Sequence, residues 1–134
     1  MNSLKRVLSL AAAAGFVLCA APFGASAHHS FAAEFDRNLP ITVTGTVTKV
    51  EWMNPHARFY VEADDENGGK VEWDFELTTP NVLMRRGWTR NSLKVGEVVT
   101  VTGYRAQNHP YVGNASNVSL ADGTRLFTGA AVGQ

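Results

Sequence analysis

Hydrophobic and polar residues alternate along most of the chain that follows residue 40. Residues 41–47 carry Ile, Val, Gly and Val at odd positions and threonine at all three even positions between them, which is typical of a half-buried strand. Val50 and Trp52 continue the apolar set from even positions, and this change of phase predicts a β-bulge. Two more alternating runs, residues 57–63 and 71–77, predict the second and third strands.

A short helix is predicted directly after the third strand. Thr79 has the character of an N-cap, Pro80 suits the first helical position, and Gly87 suits the left-handed residue that ends a helix. The β-branched run at residues 98–104 predicts a fourth strand.

The order of these elements predicts the fold class. Residues 118–120 and 125–127 read as two further strands joined by a turn at residues 122–123. Three strands, a short helix and then two or more strands predict a mainly β fold, a small five- to six-stranded OB-like barrel with one short helix between strands 3 and 4. A closed barrel leaves no sheet edge exposed, which favours this architecture. An open meander or a small sandwich with the same number of strands is the alternative.

The amino-terminal residues have the pattern of a secretory signal peptide. Lys5 and Arg6 precede an apolar run at residues 7–21, and Ala25-Ser26-Ala27 supplies small residues for cleavage. The protein is therefore expected to be periplasmic or secreted and, after cleavage, not an integral membrane protein; a retained anchor is the alternative. The predicted organisation is a signal peptide at residues 1–27, an extended arm at 28–40 with Phe31 and Phe35 against the body, the barrel domain at 41–127 and a flexible tail at 128–134.

Charge and cysteine content narrow the possible ligands. The chain of 134 residues has 12 Lys and Arg against 12 Asp and Glu, and cleavage would remove two cations and no acid. Nucleic acid is therefore not an expected partner. The single cysteine, Cys19, lies within the signal peptide, so any metal ion must be bound by histidine, carboxylate or the amino terminus.

All four histidines lie where they could contribute to a metal site. Cleavage after Ala27 would make His28 the first residue, followed by His29, while His56 and His109 lie in the predicted loops 52–56 and 106–115 that flank the ligand-binding face of an OB-type barrel. An amino-terminal histidine offers its α-amine and its ring nitrogen to one ion, and another imidazole would complete a set that suits copper(II) or another divalent metal ion. The alternative is that these histidines are only solvated loop and tail residues.

Other residues offer competing functions. Trp52, Asn54 and Tyr111, next to the same two loops, could bind a small ligand or a periplasmic protein without any metal ion. Trp73 shares the phase of its apolar neighbours and is expected in the core. Asp74 and Glu76 alternate with apolar residues and are expected in solvent.

Neither catalysis nor an anion site is favoured by the remaining residues. The chain has no nucleophile motif, so an enzyme is the less expected class, and a copper-dependent oxidoreductase is a third reading. Arg85, Arg86 and Arg90 could hold an anion, but cations at the end of a helix are explained by its dipole.

Several motifs together resemble a known family. They are His28-His29-Ser30-Phe31, Gly45-Thr46-Val47, Asn54-Pro55-His56, Pro80-Asn81, Arg86-Gly87-Trp88-Thr89-Arg90 and Thr102-Gly103-Tyr104. With these motifs the chain is similar to a family of small exported bacterial proteins of unknown function. The resemblance implies export, small size and a β-barrel-like fold, and it implies no activity. His28, His29 and His56 match its motif positions, whereas His109 does not.

Overall fold

The computed structural model of the protein describes residues 31–128. These residues form two short helices and six strands, which in chain order are α1 (Phe31–Glu34), β1 (Phe35–Glu51), β2 (Arg58–Asp64), β3 (Lys70–Glu76), α2 (Pro80–Arg85), β4 (Val98–Ala106), β5 (Val112–Leu120) and β6 (Arg125–Phe127).

The six strands make one sheet that closes on itself. Their order is β3-β2-β1-β4-β5-β6, and β3 also pairs with β5, so that β1 to β5 form a ring and β6 lies beside β5. The β3–β5 pair is parallel and all the other pairs are antiparallel. The predicted class, a mainly β fold with a short helix between the third and fourth strands, is confirmed.

The long first strand pairs with two neighbouring strands, one along each edge. It pairs with β4 through most of its first part and with β2 through its last part. The pairing with β2 shifts between Val47 and Lys49, which confirms the predicted bulge.

The core fills the inside of the ring with alternate side chains of the strands and with residues from α2 and the segment after it. The rings of Phe59 and Phe75 stack at a centroid distance of 5.3 Å in its middle. Trp73, expected in the core, is partly buried and stacks on Phe75 at 5.6 Å. The buried apolar residues of this cluster are Val43, Val47, Ala57, Phe59, Val61, Ala63, Phe75, Leu77, Leu83, Trp88, Leu93, Val99, Val101, Ala115 and Val118.

Helix α2 has the capping that its sequence predicts. The Thr79 hydroxyl accepts a hydrogen bond from the Val82 amide at 3.4 Å, and Pro80 is the first helical residue. Gly87 has a φ of +88°, a conformation that glycine adopts without steric cost. Leu83 and Trp88 point into the core, so this helix covers one end of the ring.

The folded part of the chain extends beyond the residues 41–127 that the alternation predicted, at both ends. Strand β1 begins at Phe35, inside the predicted arm, because Phe35 pairs with Ala106 at the end of β4. Phe35 is buried and its ring lies 5.4 Å from that of Phe31, in agreement with the expected packing of both rings. Thr128, expected in the tail, is instead buried, and its hydroxyl donates to the carbonyls of Ala115 and Ser116.

Candidate functional site

A row of polar residues crosses the outer face of the ring at the β3–β5 junction. Arg58 pairs in register with Glu76, Glu76 with Asn114, and Asn114 with Tyr104. Residues paired in register on neighbouring strands project from the same face of a sheet. Because Phe75 and Ala115 point into the core, the side chains of the row lie outside it.

Glu76 is buried in this row, which corrects the expectation that it faces solvent. The residue is only 7% exposed, whereas Asp74, two residues earlier, is half-buried. The pairing of β3 with β5 flanks Glu76 on both sides, and the amino-terminal segment packs at the same end of the face, with the Phe31 ring 5.9 Å from that of Tyr104. The alternation of apolar and polar residues along β3 gives no information about either of these contacts.

Arg58 joins two carboxylates of β3, those of Asp74 and Glu76. Its Nε and one terminal nitrogen donate to the two oxygens of Asp74, each at 2.9 Å, and its other terminal nitrogen donates to Glu76 at 3.2 Å. A guanidinium that binds a carboxylate with two parallel hydrogen bonds has a fixed orientation. The position of Glu76 is therefore braced from the β2 side.

His56 holds the other oxygen of Glu76. Its Nδ1 lies 2.8 Å from Glu76 Oε1, and its side chain is 46% exposed while that of Glu76 is 9% exposed. The neighbouring Ala57 exchanges backbone hydrogen bonds with Thr78 and Leu77, which extends the β2–β3 ladder to the edge of the loop 52–57. With Nδ1 donating to the carboxylate, a neutral ring has its lone pair on Nε2. That nitrogen makes no hydrogen bond to any residue in the described range.

The environment of Glu76 raises the pKa of its carboxyl group. Burial raises the pKa of the Glu76 carboxyl, and the nearby Glu34 raises it further, whereas His56 and Arg58 lower it. Asn114, next to Glu76 in the row, is also buried, and its side-chain oxygen has no hydrogen-bond partner among residues 31–128. The outer face at the β3–β5 junction thus contains the buried carboxyl group of Glu76 and, beside it, a buried Asn114 side-chain oxygen without a hydrogen-bond partner among residues 31–128.

The raised pKa of Glu76 predicts a dependence of stability on pH. Between the ordinary pKa of glutamic acid and the raised one, the folded protein binds a proton that the unfolded chain does not. The stabilisation that comes from this proton is complete below the ordinary pKa and is lost as the pH rises through the raised one. In urea unfolding at a series of pH values, wild-type protein should lose stability relative to Glu76→Gln as the pH rises.

Glu72→Gln is the matched control for this experiment because it removes an exposed carboxylate from the same strand. Its free energy of unfolding should follow that of wild-type protein across the series. A constant difference between wild-type protein and Glu76→Gln at every pH would contradict the assignment.

Only two of the four histidines of the predicted metal site lie within the residues that the structure describes. His28 and His29 lie outside residues 31–128, and the described part contains His56 and His109. His109 is exposed in the loop 107–111, which is shorter than the predicted loop 106–115 because β4 extends to Ala106 and β5 starts at Val112. No group of three or more His, Cys, Asp or Glu residues within 31–128 is arranged to hold a metal ion.

The predicted ligand-binding residues belong to two different surfaces. Trp52 and Asn54 line a groove of about 370 Å³ between the loop 52–57, which contains a cis Asn54–Pro55 peptide bond, and α2. Tyr111 is instead exposed on the other loop, where its ring packs edge-on against Trp73 at 5.6 Å.

Arg58 and Asn114 in the polar row, and Met53 and Met84 in the groove, are site residues that the sequence pattern did not indicate. The register of the β2–β3 hairpin is the one signal that was available for Arg58. Counting outward from the turn at residues 65–69 places Arg58 opposite Glu76.

Comparisons with known proteins place the chain in a family but give no activity. Within residues 31–128 no helix has both the length and the apolar character needed to cross a membrane. No curated protein matches the chain. The model of the family of unknown function DUF6152 matches residues 14–115, about three quarters of the sequence. The protein therefore belongs to the DUF6152 family.

Proposed function

We propose that the protein is a small periplasmic binding module that holds copper(II) through His56 together with the amino-terminal residues His28 and His29. The observation that carries the proposal is the hydrogen bond of 2.8 Å from His56 Nδ1 to the buried Glu76 carboxylate. Histidines that bind metal ions usually donate their second ring nitrogen to a carboxylate or a carbonyl, which fixes the ring and makes it a better ligand.

The exposure of the two partners supports a role for His56 in binding. The carboxylate is buried and the imidazole is half exposed, so the part of the ring that does not contact Glu76 is open to solvent. Arg58 supplies one positive charge to the two carboxylates of Asp74 and Glu76, so one negative charge remains beside His56 and favours a cation there.

The described chain begins on the same side of the ring as His56. Phe31 contacts Tyr104, at the end of the polar row, and Glu34 is close enough to Glu76 to raise its pKa. His29 precedes Phe31 by two residues and His28 by three, so the chain can span roughly 7–10 Å between them at about 3.3 Å per residue. A site shared with His56 therefore requires the imidazole to lie within this reach of Phe31.

Cleavage after Ala27 would give the amino terminus a chemical role. The α-amine and the ring of His28 would bind one ion together, and His56 Nε2 would add a third nitrogen. Copper(II) favours such tetragonal nitrogen sets. The competing proposal is that the histidines are incidental and that loop residues bind a ligand or a partner protein.

The test uses protein that begins at His28, titrated with copper(II) and followed by its electron paramagnetic resonance spectrum. His56→Ala should weaken copper binding by at least about tenfold and reduce the nitrogen coupling in the spectrum, and Glu76→Gln should weaken it by about tenfold. One glycine added before His28 should also weaken binding, because it moves the α-amine away from the first ring.

His109→Ala is the matched control because it removes an exposed histidine that has no carboxylate partner within residues 31–128. It should leave both the affinity and the spectrum unchanged. If His56→Ala binds copper as wild-type protein does, the site is not on this face, and an unchanged spectrum after the glycine extension would exclude the amine.

A further inference from the structure

The groove beside α2 has the composition of a binding site and does not include His56. It lies between the end of β1, the loop that follows, and the carboxyl end of the helix. The residues that line it are Trp52, Met53, Asn54, Pro80, Asn81, Met84, Trp88, Thr89 and Arg90. Its volume of about 370 Å³ falls in the range of small-molecule sites, which are mostly apolar with a few polar groups.

The base of the groove is rigid, whereas two exposed methionines of its wall can adapt. Trp88 is 3% exposed, and its indole nitrogen donates to the Phe127 carbonyl at 3.1 Å. Met53 and Met84 are 51% and 53% exposed, which is unusual for methionine. Methionine side chains are flexible and polarizable and adjust to the shape of an apolar ligand.

Arg90 gives the groove its charge. It is exposed, and no carboxylate within residues 31–128 pairs with it. The two arginines of the same region have other contacts, because Arg85 donates to the Asn81 carbonyl at 3.3 Å and Arg86 donates to the Thr128 carbonyl. No acidic residue lines the groove, so its electrostatic preference is for an anion.

We propose that this groove binds a small organic ligand with an aromatic or aliphatic body and one carboxylate. The body lies against Trp52 and the two methionines, and the carboxylate pairs with the Arg90 guanidinium. A guanidinium is suited to a carboxylate because it can donate two parallel hydrogen bonds. The proposal is independent of copper binding, since no histidine lines the groove.

The two methionines provide a direct test. The chain has three methionines, Met1, Met53 and Met84, so protein labelled with ¹³C at the methionine methyl groups gives one signal from each wall of the groove. The probes are 4-phenylbutyrate and its neutral amide, 4-phenylbutanamide. The signals of Met53 and Met84 should both shift on titration with the acid, and the amide should bind at least about tenfold more weakly, as expected when a charged partner is lost.

Two substitutions separate the charge from the apolar surface. Arg90→Gln should reduce the affinity for the acid about tenfold, while Arg85→Gln, a neighbouring arginine outside the groove, should not change it. Equal binding of acid and amide, or full binding by Arg90→Gln, would overturn the assignment of the carboxylate to Arg90. If neither compound moves the two signals at millimolar concentration, the groove is not a site of this kind. His56→Ala should bind the acid as wild-type protein does.

Discussion

Replacement of Gly103 by alanine is expected to destabilise the protein by about 3 kcal/mol or more. An added Cβ would lie 1.9 Å from the Asn114 carbonyl oxygen and 2.9 Å from its carbonyl carbon. Both are backbone atoms of β5, so no side-chain rotation can relieve the contact, and β4 and β5 would have to separate. Their register already shifts at this point, between Thr102 and Gly103. Urea unfolding followed by circular dichroism measures the loss.

Gly69→Ala is the control for this substitution. The nearest atoms to its added Cβ belong to the Asp65 carboxylate, at 2.8 Å, and this side chain can move. The expected cost is within about 1 kcal/mol. If the two alanine variants lose the same stability, the close approach of β4 and β5 is not what requires glycine at position 103.

Phe75→Ala is expected to cost about 4 kcal/mol, in the range for large aromatic side chains removed from a core. Phe75 is fully buried and stacks with Phe59 on one side and with Trp73 on the other. Its removal leaves a cavity, and the closed ring can fill this cavity only if β3 moves. The midpoint of urea unfolding should fall, with a reduced near-ultraviolet signal from Trp73.

Phe127→Ala provides the comparison for the core substitution, because the same side chain is removed from a surface position that is 59% exposed. The expected loss is below about 1 kcal/mol. A loss for Phe75→Ala as small as that for Phe127→Ala would show that the stacked rings do not form the centre of the core.

The elements that could be predicted from the sequence are those determined by neighbouring residues. The ends of α2 depend on Thr79, Pro80 and Gly87, all within one short segment. In the structure Thr79 is the N-cap, Pro80 is the first helical residue and Gly87 has a positive φ, as predicted. The bulge of β1 follows from a change in the phase of apolar positions, which is also a local signal. The fold class, mainly β with one short helix between the third and fourth strands, followed from the order of these elements along the chain.

The candidate site could be predicted only in part because it depends on contacts between distant segments. Asp74 and Glu76 alternate with apolar residues as solvent-facing residues do, and only the pairing with β5 and the packed amino-terminal segment bury Glu76. Thr128 is buried for the same reason, through hydrogen bonds to residues 12 and 13 positions earlier. The groove joins residues 52–54 to residues 80–90, and no periodicity relates those segments.

The loop 52–57 supplies side chains to two surfaces from one short backbone segment. Trp52, Met53 and Asn54 line the groove, and His56, two residues further along, holds the Glu76 carboxylate. If His56 binds copper as proposed, a molecule in the groove that shifts this backbone would change the affinity of His56 for the ion. Thermodynamic linkage then requires reciprocity, so that the ion alters the affinity of the groove by the same factor.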